Sequence, residues 1–228
     1  TSIPSVTSSG KVWVSPACKL AKGGNGAGFE PKLPKGPYTA SILRKAIEAE
    51  SFALVDTENP SLAYGKGWAE FPGDIDSDGH NKGLKLARAV AAHLDDLAKT
   101  IRRLLNAGWK EVWVVTDHGW LLLPAGLPKA ELPAKLTETK WGRCAVLKDA
   151  AGDNDWLVLP WSFDPAGRVA LAPGISAFSS GREYDHGGLS LQESVVPFMK
   201  VSRTGPVAGQ PRLSSVSWNT RKTICSVA

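Results

Sequence analysis

The sequence lacks paired cysteines. Cys18, Cys144 and Cys225 are far apart, odd in number and form no CxxC string, which excludes a zinc-finger frame and a disulfide scaffold. They read as reduced thiols of a cytoplasmic protein. Also missing is any apolar run approaching the roughly 20 residues that a membrane-spanning helix needs, so no membrane is expected among its partners. No basic-then-apolar leader is present, although the chain starts at Thr1 rather than Met and this says little. There is no internal repeat. The glycine-rich string Lys22-Gly23-Gly24-Asn25-Gly26-Ala27-Gly28 has no Gly-Lys-Ser/Thr ending and no helix behind it, so it reads as a loop and not a phosphate cradle.

What remains is an ordinary globular composition. The 228 residues suffice for one sizeable domain, with 43% hydrophobic and 21% charged residues. A net charge of +5 permits attraction to phosphate-bearing partners. Thr1 to Gly36 is rich in Ser, Gly and Pro and reads as mostly irregular, with Ile3 to Ser9 a linker on composition alone. Thr39 is an N-cap candidate for a helix through Glu50, with Ala40, Leu43, Ala46 and Ile47 on one face. Phe52 to Val55 reads as a strand. Between Asn81 and Ala107, Val90, Leu94, Leu97, Ile101, Leu104 and Leu105 recur at helical spacing. Gly108 stops that helix and Glu111 to Val115 follows as a strand. Helix, turn and strand together predict an α/β fold with a mostly parallel sheet and covering helices, whose chemistry gathers where strands end.

Past Leu123 the character changes. Trp141 to Leu147, Trp156 to Leu159 and Arg168 to Leu171 read as short strands, with Asp164-Pro165-Ala166-Gly167 a turn between two of them. Residues 124–180 therefore read as a β-rich insertion or lid. Val195 to Val201 is one more strand, and 202–228 a polar tail. The basic residues Lys82, Lys85, Arg88, Lys99, Arg102 and Arg103 read as a solvated helix face. The nine tryptophans are explained by core and lid packing. Ser190-x-x-Glu193 reads as a capping box.

The four histidines divide in kind. His93 sits mid-helix and reads as structural or solvent-facing. His80 ends Asp76-Ser77-Asp78-Gly79-His80, His118 lies in Asp117-His118-Gly119, and His186 lies in Asp185-His186-Gly187-Gly188. Neutral imidazole with carboxylate suits zinc, manganese or a similar divalent ion. One such string alone is a turn; the three together point to a metal site. Asp74 and Asp78 rival Asp76 as the ligand of the first string, and Asp185 is a lesser candidate.

Taken in order, these motifs resemble the alkaline phosphatase superfamily and, within it, the PglZ family of bacterial phage-defence systems of the BREX type. His186-Gly187-Gly188-Leu189-Ser190-Leu191-Gln192-Glu193-Ser194-Val195-Val196-Pro197 resembles the PglZ string around its last metal-binding histidine. Thr116-Asp117-His118-Gly119 is similar to the superfamily's strand-borne Asp-His pair, and Asp76 to His80 to its Asp-x-x-Gly-His element. Pro4-Ser5-Val6-Thr7 is similar to the string that carries the nucleophilic threonine.

The resemblance implies a metal-dependent phosphatase or phosphodiesterase with two divalent ions, zinc or manganese. Asp76, His80 and His186 would hold one ion. Thr7, Asp117 and His118 would hold the other, with Thr7 as nucleophile. Its implied partners are a phosphoester substrate such as a nucleotide or nucleic acid, and other defence-system proteins. Residues 1–201 would form an alkaline-phosphatase-like domain, incomplete at the N-terminus because the family's upstream metal-binding aspartate and its strand do not precede Thr7. The other reading is a catalytically silent interaction module binding protein or DNA in a defence complex.

Overall fold

The computed structural model describes residues 1–24, 28–61, 65–132, 137–148, 157–203, 216–218 and 225–227. The middle of the glycine-rich string, Trp156 and most of the tail lie outside the described residues. Helices are α1 Thr7–Val14, α2 Ala40–Ala49, α3 Ile75–Lys82, α4 Leu86–Asn106 and the single turn α5 Leu191–Ser194. Strands are β1 Lys32–Leu33, β2 Gly36–Pro37, β3 Phe52–Val55, β4 Lys66–Ala69, β5 Glu111–Val115, β6 Leu121–Leu122, β7 Thr137–Lys140, β8 Cys144–Leu147, β9 Leu157–Trp161, β10 Asp164–Leu171, β11 Tyr184–Asp185, β12 Phe198–Ser202, β13 Val216–Trp218 and β14 Cys225–Val227.

The chain mixes helix and strand as expected, but the strands pair in small sheets. β3 and β4 run parallel. β5 pairs antiparallel with β12, placing Val115 opposite Phe198. β6 pairs antiparallel with β11, and β13 with β14. This corrects the expectation of a mostly parallel sheet: among the described strands only β3 and β4 are parallel neighbours. Helix-then-strand order fixes the elements, whereas the partner of each strand is chosen by contacts far along the chain. No described helix is long and apolar enough to cross a membrane.

Residues 137–171 carry the largest sheet, four antiparallel strands in the order β7-β8-β10-β9. The expected turn at Asp164 to Gly167 is displaced. Asp164 already pairs with Trp161, so the chain reverses at Ser162 and Phe163, and residues 165–167 form a bulge before Arg168 rejoins Pro160. The Asp164 carboxylate accepts the Ala166 amide at 3.0 Å, the local bond that Asp favours at such a bend. Buried Val6, Phe29, Cys144, Trp161, Val169 and Leu171 pack together on this sheet.

The N-terminal segment is more ordered than its composition predicts. Thr7-Ser8-Ser9-Gly10 is poor helix-forming sequence, yet α1 forms because tertiary contacts override propensity. Val12 is fully buried with Leu43 and Ile47 of α2. The Ser8 and Ser9 hydroxyls both donate to the Phe29 carbonyl, at 2.9 and 2.8 Å. Trp161 Nε1 donates to Ser9 Oγ at 2.9 Å.

α2 follows its sequence signals closely. The Thr39 hydroxyl accepts the Ile42 amide at 3.1 Å, and Leu43, Ala46 and Ile47 are buried while Ala40 is exposed. Thr39→Ala is expected to cost about 1 kcal/mol in urea-induced unfolding, the usual effect of losing such a cap.

The expected helix from Asn81 to Ala107 is two helices. Gly83 adopts φ 52°, a left-handed conformation that glycine takes without strain, and α4 restarts at Leu86. Its C-terminal half buries Ile101, Leu104 and Leu105, while Leu94 stays 54% exposed. The apolar stripe is therefore covered along only part of its length.

Candidate metal and phosphoester site

α3 settles which carboxylate of the first string serves the site. Asp74 is its N-cap, accepting the Ser77 amide at 2.9 Å. Asp78 pairs with Lys82 at 2.7 Å and with His93 at 3.0 Å, which also gives His93 a structural partner. Asp76 and His80, four residues apart on the helix, share a face. Gly79 lies between them because the Tyr184 ring packs there: a Cβ on Gly79 would sit 2.2 Å from it. The Tyr184 hydroxyl in turn donates to Asp76 Oδ1 at 2.8 Å.

His186 enters from the opposite side. Its Nδ1 lies 3.0 Å from the Ser5 carbonyl. A carbonyl only accepts, so Nδ1 carries the proton and Nε2 presents a lone pair. Ser5 is itself buried; its hydroxyl donates to the Gly188 carbonyl at 2.8 Å and accepts the Gly187 amide at 3.2 Å. The His186 Nε2 lies 3.2 Å from His80 Nε2 and 3.4 Å from Asp76 Oδ1. One ligand atom from each of Asp76, His80 and His186 falls within 4.8 Å of the others.

Electrostatics prepare these groups as ligands. Burial, reinforced by His118, lowers the His186 pKa and favours the neutral ring. Burial works against charge on Asp76, but His186, the Tyr184 hydroxyl, His118 and His80 together outweigh it and hold its pKa below the ordinary carboxylate range. Burial raises the Tyr184 pKa, so its hydroxyl stays a donor. The donor set of two imidazole nitrogens and one carboxylate oxygen fits a divalent cation such as zinc, and these three residues could hold one.

His118 lies beside this triad, its ring stacked on His186 with centroids 3.9 Å apart. It follows β5 in the chain, as the sequence predicts, and its Nδ1 is 3.1 Å from the Gly119 carbonyl. The Nδ1 proton is thus committed, leaving Nε2 as acceptor for the Thr7 hydroxyl at 3.1 Å. Asp117 Oδ2 is 3.7 Å from the same Nε2. Thr7 is the first residue of α1, which has no side-chain cap and no acidic residue in its first turn. The positive end of that helix is therefore available to an anion.

All six candidates, Thr7, Asp76, His80, Asp117, His118 and His186, are thus gathered around the stacked imidazoles. Asp185 is excluded from the triad. Its Oδ1 accepts the His186 amide at 2.9 Å, and burial raises its pKa.

Three supporting residues escaped sequence reasoning. Tyr184 could have been suspected from a glycine placed inside a helix beside a ligand. The Ser5 carbonyl is backbone and leaves no signal in residue type. Arg143 is fully buried and pairs bidentately with Glu193, Nε to Oε1 at 2.7 Å and Nη2 to Oε2 at 2.9 Å. Glu193 completes the predicted capping box with Ser190 and accepts the Gly188 amide at 2.8 Å.

Comparison with family models, with curated proteins and with solved structures returns no match for this chain.

Proposed function

We propose that this chain carries the catalytic site of a metal-dependent phosphoester hydrolase of the PglZ type, serving bacterial phage defence. The observation that carries this reading is the stacking of His118 between a hydroxyl and a metal-binding triad: Thr7 at 3.1 Å on one side, and His186 of the triad at 3.9 Å between ring centroids on the other. A hydroxyl beside an imidazole acceptor is the arrangement of an activated nucleophile.

Asp76, His80 and His186 would hold one ion, and Thr7, Asp117 and His118 a second. When bound, the ions would neutralise charge on the phosphoryl oxygens and lower the pKa of hydroxyl and water. Thr7 Oγ1 attacks phosphorus in line with the leaving group, and the bond to the leaving oxygen breaks. With a single ion present, His118 Nε2 is the atom within reach of the Thr7 proton. The N-terminus of α1 faces the transferred phosphoryl group with its positive end. Water then cleaves the phosphothreonine and restores the hydroxyl. Tyr184 and Ser5 keep Asp76 and His186 in register.

The test is hydrolysis of p-nitrophenyl phosphate and of its bis-ester in zinc or manganese. Thr7→Ala and His118→Ala are each expected to lower kcat at least a hundredfold, as loss of a nucleophile or its activating partner does. Unchanged rates in both variants would refute the assignment, and the ratio between the substrates separates phosphatase from phosphodiesterase.

A second reading, a silent module that binds another protein of a defence complex, draws on one observation. Trp113 and Phe198 of the β5–β12 pair share one face, their ring centroids 5.0 Å apart, and are 50% and 69% exposed. An apolar face of this kind suits a protein contact. Turnover of either ester by the wild-type chain rejects the silent reading.

A further inference from the structure

A cleft of about 440 Å³ opens beside the triad, walled by the end of α3 and by residues 181–184. His80 belongs both to this cleft and to the triad, and the Tyr184 that holds Asp76 is part of its wall. Whatever occupies the cleft therefore lies next to a group held by Asp76, His80 and His186.

Its charged lining is two cations and one carboxylate. Lys82 stands on one wall and Arg182 on the other. The Lys82 ammonium pairs with Asp78 at 2.7 Å, both side chains partly exposed, and such a pair is weak and readily exchanged for another anion. Arg182 Nε is 3.5 Å from Asp185 Oδ2, beyond a good hydrogen bond, and that oxygen has no hydrogen-bond partner among the described residues. The Arg182 side chain is 44% exposed beside the cleft, and its charged partner among the described residues is Asp185. Glu183 is the opposing charge, but its Oε2 is committed to the Leu84 amide at 3.0 Å, bracing the break between α3 and α4. Asn81 adds an amide to the same wall. This arrangement suits a planar bidentate contact with a phosphate.

The geometry points to a second phosphate subsite: the cleft between Lys82 and Arg182 receives a phosphate flanking the scissile one, so the substrate is a nucleoside polyphosphate or an oligonucleotide. This inference rests on the hydrolase reading for the identity of the neighbouring group. The subsite itself can be tested without turnover.

Fluorescence anisotropy on metal-free protein in EDTA would use two probes, a fluorescein-labelled short single-stranded oligonucleotide and a fluorescent nucleoside triphosphate. Arg182→Ala and Lys82→Ala are each expected to weaken binding about tenfold, the size of one charge-assisted hydrogen bond. Arg182→Lys should recover part of the loss, and zinc titration of all three variants should match wild type. Binding of the oligonucleotide alone identifies nucleic acid as the source, and binding of the triphosphate alone identifies a nucleotide. Equal affinities of wild type and both alanine variants for both probes overturn the subsite. Bis-p-nitrophenyl phosphate has no flanking phosphate, so its turnover should be unchanged in the variants. If wild type binds the probes through Arg182 yet hydrolyses no ester, the anion cleft stands and the hydrolase reading falls.

Discussion

Replacing His186 with alanine is expected to remove most of the rise in Tm that zinc binding at the triad would produce in the wild-type chain. A ligand that binds only the folded state stabilises it by about 2.7 kcal/mol at a hundredfold excess over Kd. The triad supplies three ligands; with one imidazole removed, affinity falls and most of that gain disappears. His93→Ala is the matched control, because His93 pairs with Asp78 outside the triad and its loss should leave the zinc response intact. Acid should mimic the substitution. The lowered pKa of His186 keeps that ring neutral below the usual histidine range, so this ligand resists protonation in mild acid. Binding fails once protons compete for His186 and for Asp76. Thermal unfolding with and without zinc, repeated across pH, measures both effects. An equal zinc response in wild type and His186→Ala would refute the triad as the binding site.

Breaking the Arg143–Glu193 pair should have the largest effect on the fold itself. Both side chains are fully buried, and removing one partner strands a charge in the interior, at a cost of about 3–5 kcal/mol. Arg143 also donates to the carbonyls of Ser176 and Gly174, so Arg143→Met leaves those acceptors unpaired as well. Glu193→Gln keeps the shape and removes the charge. Burial acts against the Glu193 carboxylate, but Arg143, Ser190 and the Gly188 amide prevail and depress its pKa. Its contribution is therefore present above the unfolded carboxylate value of about 4.3 and is lost as pH falls through the lower folded value. Urea unfolding should show a large gap between wild type and Glu193→Gln at neutral pH that narrows in acid. A gap independent of pH would assign the loss to packing rather than charge.

Much of the site was legible because its chemistry is carried by residue type. The Thr39 cap and the Ser190–Glu193 box each depend on groups within a few positions of one another and form as read; of the histidine strings, Asp76, His80 and His186 come together as a group that could hold an ion. The choice of Asp76 over Asp74 and Asp78 rested on the resemblance alone, and α3 supports it by placing Asp74 at a cap and Asp78 toward Lys82. α1 was hidden because its serines satisfy the Phe29 carbonyl, a contact about 20 positions away. The sheet was misjudged for a related reason: β5 meets β12 across more than 80 residues, and nothing local to Glu111–Val115 names that partner. Arg143 falls within the expected strand Trp141 to Leu147, and nothing in its residue type announces that it is fully buried.

The Ser5–His186 contact spans 181 positions, and the His80–His186 contact 106. Only Asp76 and His80 are neighbours in sequence, and an isolated eight-residue helix such as α3 is marginal in water. A complete chelate consequently exists only after distant segments have met in the right order, and a misfolded or partly folded chain offers an ion little. Metal capture at the triad would thus be a certificate of correct topology, issued at the end of folding and withdrawn at the first long-range rupture.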